Sequence, residues 1–221
     1  MSLFVFYFSL LFFNVKFLLF RNNLCKFAAD MNKNLYIISG CNGAGKTTAS
    51  NVVLPDILDC REFVNADEIA HGLSPFNPES VAIEAGRLML QRIEVLLERH
   101  CTFSIETTLA TKSYINLVRR AQDEGYSVKL LFFWLNSPEL AMQRVAERVA
   151  KGGHNIPEPI IRRRYIAGIR NLFNLFMKEV DYWDIYDNSE YPRKQIACGG
   201  RSAETTIYRE SLFAKIQEYA K

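Results

Sequence analysis

A three-layer α/β sandwich around a mostly parallel central sheet is the fold class that this sequence predicts, and three observations predict it. Short runs rich in β-branched and aromatic residues alternate with longer segments of helical periodicity, as in repeated βα units. One of these runs, Val128 to Leu135, is apolar almost throughout, as a strand buried on both faces requires. The first run leads directly into the glycine-rich turn Gly40-Cys41-Asn42-Gly43-Ala44-Gly45-Lys46-Thr47-Thr48, which opens a helix.

That turn fits the phosphate-loop pattern G-x-x-x-x-G-K-[ST] and carries the nucleotide-binding expectation for all nine of its residues. Its glycines let successive backbone N–H groups point inward, and the helix that follows offers the positive end of its dipole to a polyphosphate. Lys46 supplies a cation for the outer phosphates, and the Thr47 hydroxyl a hard oxygen ligand for Mg2+. The predicted class is therefore a P-loop NTPase of kinase-like form, using ATP with Mg2+.

In chain order, Asn34 to Ser39 is a buried strand, and Thr47 to Leu54 a helix that Pro55 and Asp56 interrupt. Arg61 to Asp67 reads as a second strand ending in a carboxylate, and Gly72 to Pro78 as a loop. A helix follows from Glu79 to about Arg99, with Pro78 suited to its first position. Thr102 to Thr108 is a third strand, Asn116 to Glu124 a helix closed by Gly125, and Val128 to Leu135 the strongest strand. A helix from Pro138 carries Arg144 and Arg148 at i and i+4, on one face. Lys151 to Pro157 is a glycine-bearing flexible segment, followed by a long helix from Glu158 to about Val180. Together residues 138–180 read as a helical lid. Trp183 to Tyr186 and Gln195 to Cys198 are short strands, and Thr205 to Ala220 a closing amphipathic helix.

With 221 residues, the chain suits one α/β domain, expected over residues 31–221. Its formal charge is +3, of which Lys16, Arg21 and Lys26 against Asp30 contribute +2, so no nucleic-acid partner is implied. Five scattered cysteines without a C-x-x-C pair suit a reducing cytoplasm, and the cytoplasm is the expected location. Residues 1–30 form an apolar extension that holds half of all the phenylalanines. It lacks the basic start and small-residue cleavage site of an export signal. Two readings remain: a start assigned upstream of Met31, and a membrane anchor of roughly 19 residues kept cytoplasmic-facing by Arg21 and Lys26. Membrane contact is expected only in the second.

A phosphate loop, acidic strand ends and an arginine-bearing cover are the parts that phosphoryl transfer requires. Lys46 with Arg144 and Arg148 would hold and neutralise the transferring group, and Asp67 is the candidate base for an acceptor hydroxyl. Glu106 is the second candidate base, or else a ligand to metal-bound water or a substrate contact. Thr107 and Thr108 either bond a polar substrate or satisfy nearby backbone groups. His154, His71 and His100 have no partners at ligand spacing, so no metal beyond Mg2+ is expected. Arg162 to Arg164 is a charged run of which at most one residue faces the site. A non-catalytic ATP-binding switch and a kinase for a nucleoside or another sugar are the competing readings.

Assembled in this way, the chain resembles the zeta toxin family of phosphate-loop kinases, in its short stand-alone branch, from about Leu35 to about Asn188. The resemblance rests on Gly40 to Thr48, Val64-Asn65-Ala66-Asp67, Ile105-Glu106-Thr107-Thr108, the helix through Arg144 and Arg148, and Gly152-Gly153-His154-Asn155-Ile156-Pro157. It implies a kinase that phosphorylates a hydroxyl of a nucleotide sugar, UDP-N-acetylglucosamine in the toxins, and a small helical antitoxin as partner. By position it implies Lys46 on phosphate, Thr47 on Mg2+, Asp67 as base, and Glu106 with Thr108 on substrate. Arg144 would be the first cover arginine. At the second this sequence has His154, and Arg148 or Arg162 would have to substitute, because a neutral imidazole does not grip phosphate bidentately.

Overall fold

The structure, a computed structural model, describes residues 33–153 and 155–221. The readings made for residues 1–30 and for His154 lie outside them. Among the described residues one mixed seven-stranded sheet forms the centre, in the order β2-β3-β1-β4-β5-β6-β7. Its strands are β1 (Asn34–Gly40), β2 (Glu62–Val64), β3 (Phe103–Thr107), β4 (Ser127–Trp134), β5 (Tyr182–Asp187), β6 (Lys194–Gly200) and β7 (Ala203–Ile207). The pairs β2–β3, β3–β1, β1–β4 and β4–β5 are parallel, whereas β5–β6 and β6–β7 are antiparallel.

Every residue of β1 and of β4 is buried, which explains why these two runs lack polar alternation. The helices around the sheet are α1 (Lys46–Asp56), α2 (Ala66–Leu73), α3 (Ala82–Glu98), α4 (Tyr114–Asp123), α5 (Pro138–Ala150), α6 (Glu158–Asn171) and α7 (Glu210–Glu218). Apolar residues of α3 such as Ala85, Met89, Ile93 and Leu96 recur at helical spacing and are all buried against the sheet.

The parallel registers gather the C-terminal strand ends on one rim, because Ser39 pairs with Thr107, Gly40 with Phe133, and Trp134 with Asp187. The chain turns one way from β1 toward β3 and the other way to β4, and at this switch point the β1–α1 turn opens on a crevice.

Local chemistry moves several boundaries. The second strand stops at Val64, because the Asn65 side chain accepts from the Asp67 N–H and caps a helix that the sequence pattern concealed. Helix α1 continues through Pro55 and ends one residue later, at Asp56. The helical run from Glu158 does extend to Glu179, with a π-turn over Leu172–Phe176 inside it and a last short turn, Met177–Glu179. The stretch from Thr205 to Ala220 is not one helix: Thr205, Thr206 and Ile207 extend in the edge strand β7, and α7 begins only at Glu210.

Candidate active site

The β1–α1 turn has the backbone of an anion cradle. Gly40, at φ 139°, lies against β4 so closely that a Cβ would collide with the Phe133 carbonyl oxygen. Gly45 is left-handed, at φ 76°, and ends the turn as the N-cap of α1 without any side-chain cap bond. The first turn of α1 contains no acidic residue, so none of the helix's own side chains caps its positive dipole end. This arrangement fits a polyphosphate.

Lys46 is 7 % exposed, and its Nζ donates to the Cys41 carbonyl at 3.1 Å while standing 3.7 Å from Glu106 Oε1. The Thr47 hydroxyl donates to Glu106 Oε2 at 2.9 Å and reaches Oε1 at 3.2 Å. A hydroxyl and a carboxylate side by side are the hard oxygen set that Mg2+ favours, with remaining positions left to phosphate and water. Burial pushes the Glu106 carboxyl above the usual carboxylate range, opposed by Lys46 and the Thr47 hydroxyl and reinforced by the charge of Asp67. Cys41 and Ala44 are buried behind the loop, and Thr48 is exposed on α1. Burial also pushes the Cys41 thiol up to about 12.

Lys46, Asn42, Asp67, Glu106, Thr107 and Thr108 line a single cleft of about 420 Å3. Asp67 stands not at a strand end but in the first turn of α2, exposed, directed by the buried Asn65 cap. The Thr107 hydroxyl accepts from the Leu109 N–H at 3.1 Å, which shapes the β3 exit. Tyr114 lines the same cleft, and burial raises its phenol.

Helix α6 closes the other side. Its Gly168 packs on the rim so tightly that a Cβ would stand 2.5 Å from the Thr108 carbonyl oxygen. Asn171 Nδ2 donates to the Leu109 carbonyl at 2.8 Å, and the Tyr165 hydroxyl to the Leu135 carbonyl at 2.6 Å. With α6 anchored, Arg163 and Arg164 line the cleft, and Arg164 Nη1 reaches Asn42 Oδ1 at 3.4 Å. Arg162 turns to Glu139 on the surface at 2.7 Å.

The arginines of α5 do not line this cleft. Arg144 donates through Nη1 and Nη2 to the Asn188 and Ser189 carbonyls, both at 2.8 Å, and Arg148 is exposed against Gly153. The i, i+4 pair is therefore not a joint clamp on the cleft: Arg144 holds the β5–β6 turn, and Arg148 lies at the exposed end of α5. Arg163, Tyr114 and Asn188 had no local signal beyond residue type. Asn65, directly after the Phe63-Val64 pair and before a helical run, carried a readable N-cap pattern.

An uncharacterized protein of Haemophilus influenzae is 30 % identical over 135 residues, covering 61 % of this chain and 94 % of its own. A chain of the AvrRxo1-ORF1:AvrRxo1-ORF2 complex is similar in structure, with a TM-score of 0.69 at 18 % identity over 84 % of this chain and 63 % of its own. This chain thus spans less than two thirds of that neighbour's length. The PezAT toxin–antitoxin system of Streptococcus pneumoniae includes a similar chain, with a TM-score of 0.57 at 15 % identity over 93 % of this chain and 95 % of that one. At these identities the two structures show the fold alone, a mixed, mostly parallel sheet with helices around it. The zeta toxin family model matches residues 22–195, most of the sequence and all of the cleft, and this chain belongs to the zeta toxin family.

Proposed function

We propose that this protein is a phosphotransferase that moves the γ-phosphate of ATP to a hydroxyl of a small metabolite. Family membership and the kinase-like fold support ATP use. The observation that carries the reading is the convergence of Lys46, Asp67, Glu106 and Arg164 on one cleft of about 420 Å3, a loop for the donor facing a carboxylate for the acceptor. A pure binder has no use for the carboxylate.

Lys46 and the uncapped N-terminus of α1 bind the donor phosphates. Mg2+, held beside Thr47 and Glu106, would neutralise β- and γ-phosphate charge. Asp67 takes the proton of the acceptor hydroxyl as its oxygen bonds to phosphorus and the bond to the leaving ADP oxygen breaks. Arg164, braced over the loop at Asn42, stabilises the charge that develops on the transferring group. Helix α6, anchored to the rim, and α5 act as the cover that excludes water, within a single domain from residue 31.

Arg163 at the mouth and the hydroxyls of Thr108 and Thr111 support an acceptor that is polyhydroxylated and anionic, a nucleotide sugar such as a UDP-sugar. Family membership supports a small helical antitoxin as partner, and the free cysteines Cys41, Cys60, Cys101 and Cys198 support a cytoplasmic location. No helix among the described residues is long and apolar enough to cross a membrane.

The test is incubation of the full chain with Mg-ATP and a panel of nucleotide sugars, with products followed by mass spectrometry. A phosphate gained by one acceptor, and lost by at least 10²-fold in rate in Asp67→Ala, is the expected result. Transfer by Asp67→Ala at the wild-type rate would remove the base.

A further inference from the structure

Against the phosphate loop, and not among the residues that line the cleft, stands a side chain from far along the chain. Asn188, in the turn after β5, donates from Nδ2 to the Ala44 carbonyl at 2.7 Å. Its Oδ1 accepts from Arg193 Nε at 2.9 Å, so donor and acceptor neighbours together fix which way the amide faces. Its backbone is held as well, because its N–H donates to the Trp134 carbonyl at 2.9 Å and its carbonyl accepts from Arg144 at 2.8 Å. The contact with the loop is close: a Cβ on Gly45 would stand 2.8 Å from Asn188 Nδ2.

We propose that Asn188 is a positioning residue for the phosphate loop, holding the Ala44 carbonyl on the outer side so that the Gly45 N–H points at the bound polyphosphate. The physical basis is the trans peptide, in which C=O and N–H of one unit point in opposite directions. Ala44 C=O and Gly45 N–H belong to the same unit. Gluing the carbonyl to Asn188 therefore aims the N–H into the cradle. Gly45 is left-handed and without a Cβ, so this peptide is among the freest in the loop to rotate, and an external clamp has the most to do there. Arg144 acts one step further back, since it holds the turn that holds the loop. The inference rests on the ATP-binding reading above and adds the residue that shapes the donor site.

The experiment compares full-length wild type with Asn188→Ser, which is neutral and too short to reach Ala44, and with the isosteric Asn188→Asp, which turns an oxygen toward the Ala44 carbonyl. Each is titrated calorimetrically with Mg-ATP, Mg-ADP and inorganic tripolyphosphate, and unfolding midpoints are taken without nucleotide. Asn188→Ser is expected to bind all three about tenfold more weakly, the scale of one lost hydrogen bond, and Asn188→Asp more weakly still. Midpoints are expected within about 4 °C of wild type, the shift of roughly one such bond in a chain of this size. Tripolyphosphate has neither base nor ribose, so an equal loss for it locates the defect at the phosphates. Wild-type affinity in Asn188→Ser, or a loss confined to the nucleotides with tripolyphosphate bound as in wild type, overturns the inference. Absence of Mg-ATP binding by the wild type instead overturns the ATP reading, and the inference falls with it.

Discussion

The Thr47 hydroxyl donates to both carboxylate oxygens of Glu106, at 2.9 and 3.2 Å, which joins the start of α1 to the end of β3 in one hydrogen-bonded unit. With Lys46 Nζ 3.7 Å from the same carboxylate, two residues of the first turn of α1 and one strand residue converge where the proposed nucleotide's outer phosphates and metal would lie.

Glu106→Gln keeps the shape and still accepts from Thr47 but removes the charge. Phosphotransfer is expected to fall about 10²-fold, the usual scale for losing one charge-stabilising group. The folded pKa of Glu106 is raised by burial, so in the wild type this carboxylate increasingly opposes folding as pH rises above the ordinary carboxylate range. Its removal is therefore expected to leave the unfolding midpoint at pH 8 within about 4 °C of wild type despite the loss of the Lys46 partner. Steady-state rates and thermal unfolding check both halves, and an unchanged rate would deny the carboxylate any role.

Arginines on α5 and α6 are expected to fail differently. Arg164→Ala should lower kcat by about 10²-fold with ATP affinity changed only a few-fold, because it contacts Asn42 in the loop and is proposed to stabilise the transferring group. Arg144→Ala should instead cost about 2 kcal/mol of stability, since it releases the Asn188 and Ser189 carbonyls from two charged hydrogen bonds. Chemical denaturation and kinetics on the pair separate the roles. The reverse pattern would return the catalytic assignment to α5.

Away from the cleft, Asp184 on β5 is buried, accepting from Gln195 at 2.9 Å and from the Tyr186 hydroxyl at 2.8 Å, and burial pushes its carboxyl from 3.8 to about 7. A raised folded pKa means that the native state holds the proton longer. Stability from this group is present at low pH and is lost as pH rises from about 4 through about 7. Asp184→Asn removes the titration and can still accept from Gln195. The variant and wild type should match near pH 4, with the variant more stable at pH 8 by about 1 to 4 kcal/mol. Urea unfolding at the two pH values checks it, and a gap that shrinks as pH rises would refute the sign.

Cys41 sits in the phosphate loop yet is buried, with its thiol pushed up to about 12. At pH 8 the thiolate fraction is on the order of 10⁻⁴, too small for ready alkylation. Peptide mapping after iodoacetamide treatment of the native protein should show Cys101 and Cys198, both partly exposed, labelled well before Cys41. Fast labelling of Cys41 would mean that the loop opens readily.

The loop Gly40 to Thr48, the buried strands β1 and β4, and the paired acids Asp67 and Glu106 were all legible in the residues, because each is encoded within a dozen neighbours. Glycine spacing, unbroken apolar runs and a strand-end carboxylate are local signals of backbone shape and burial. The same local signals misread Asp67 as a strand end, where the Asn65 cap starts α2 instead, and extended a helical pattern back over Thr205 to Ile207, which the free edge of β6 draws into β7.

By itself, then, the sequence determined that a phosphate loop opens a parallel α/β sheet and that two carboxylates follow it. Only the tertiary structure decided which arginine faces the cleft and what braces the loop. Arg144, Arg148, Arg163 and Arg164 are chemically alike and all lie on helices, and their directions were set by how α5 packs on the Asn188 turn and how Gly168 and Asn171 lock α6 to the rim. Asn188 lies 144 residues from Ala44, and no spacing rule spans that distance; the pairing exists because parallel strands bring their ends to one rim.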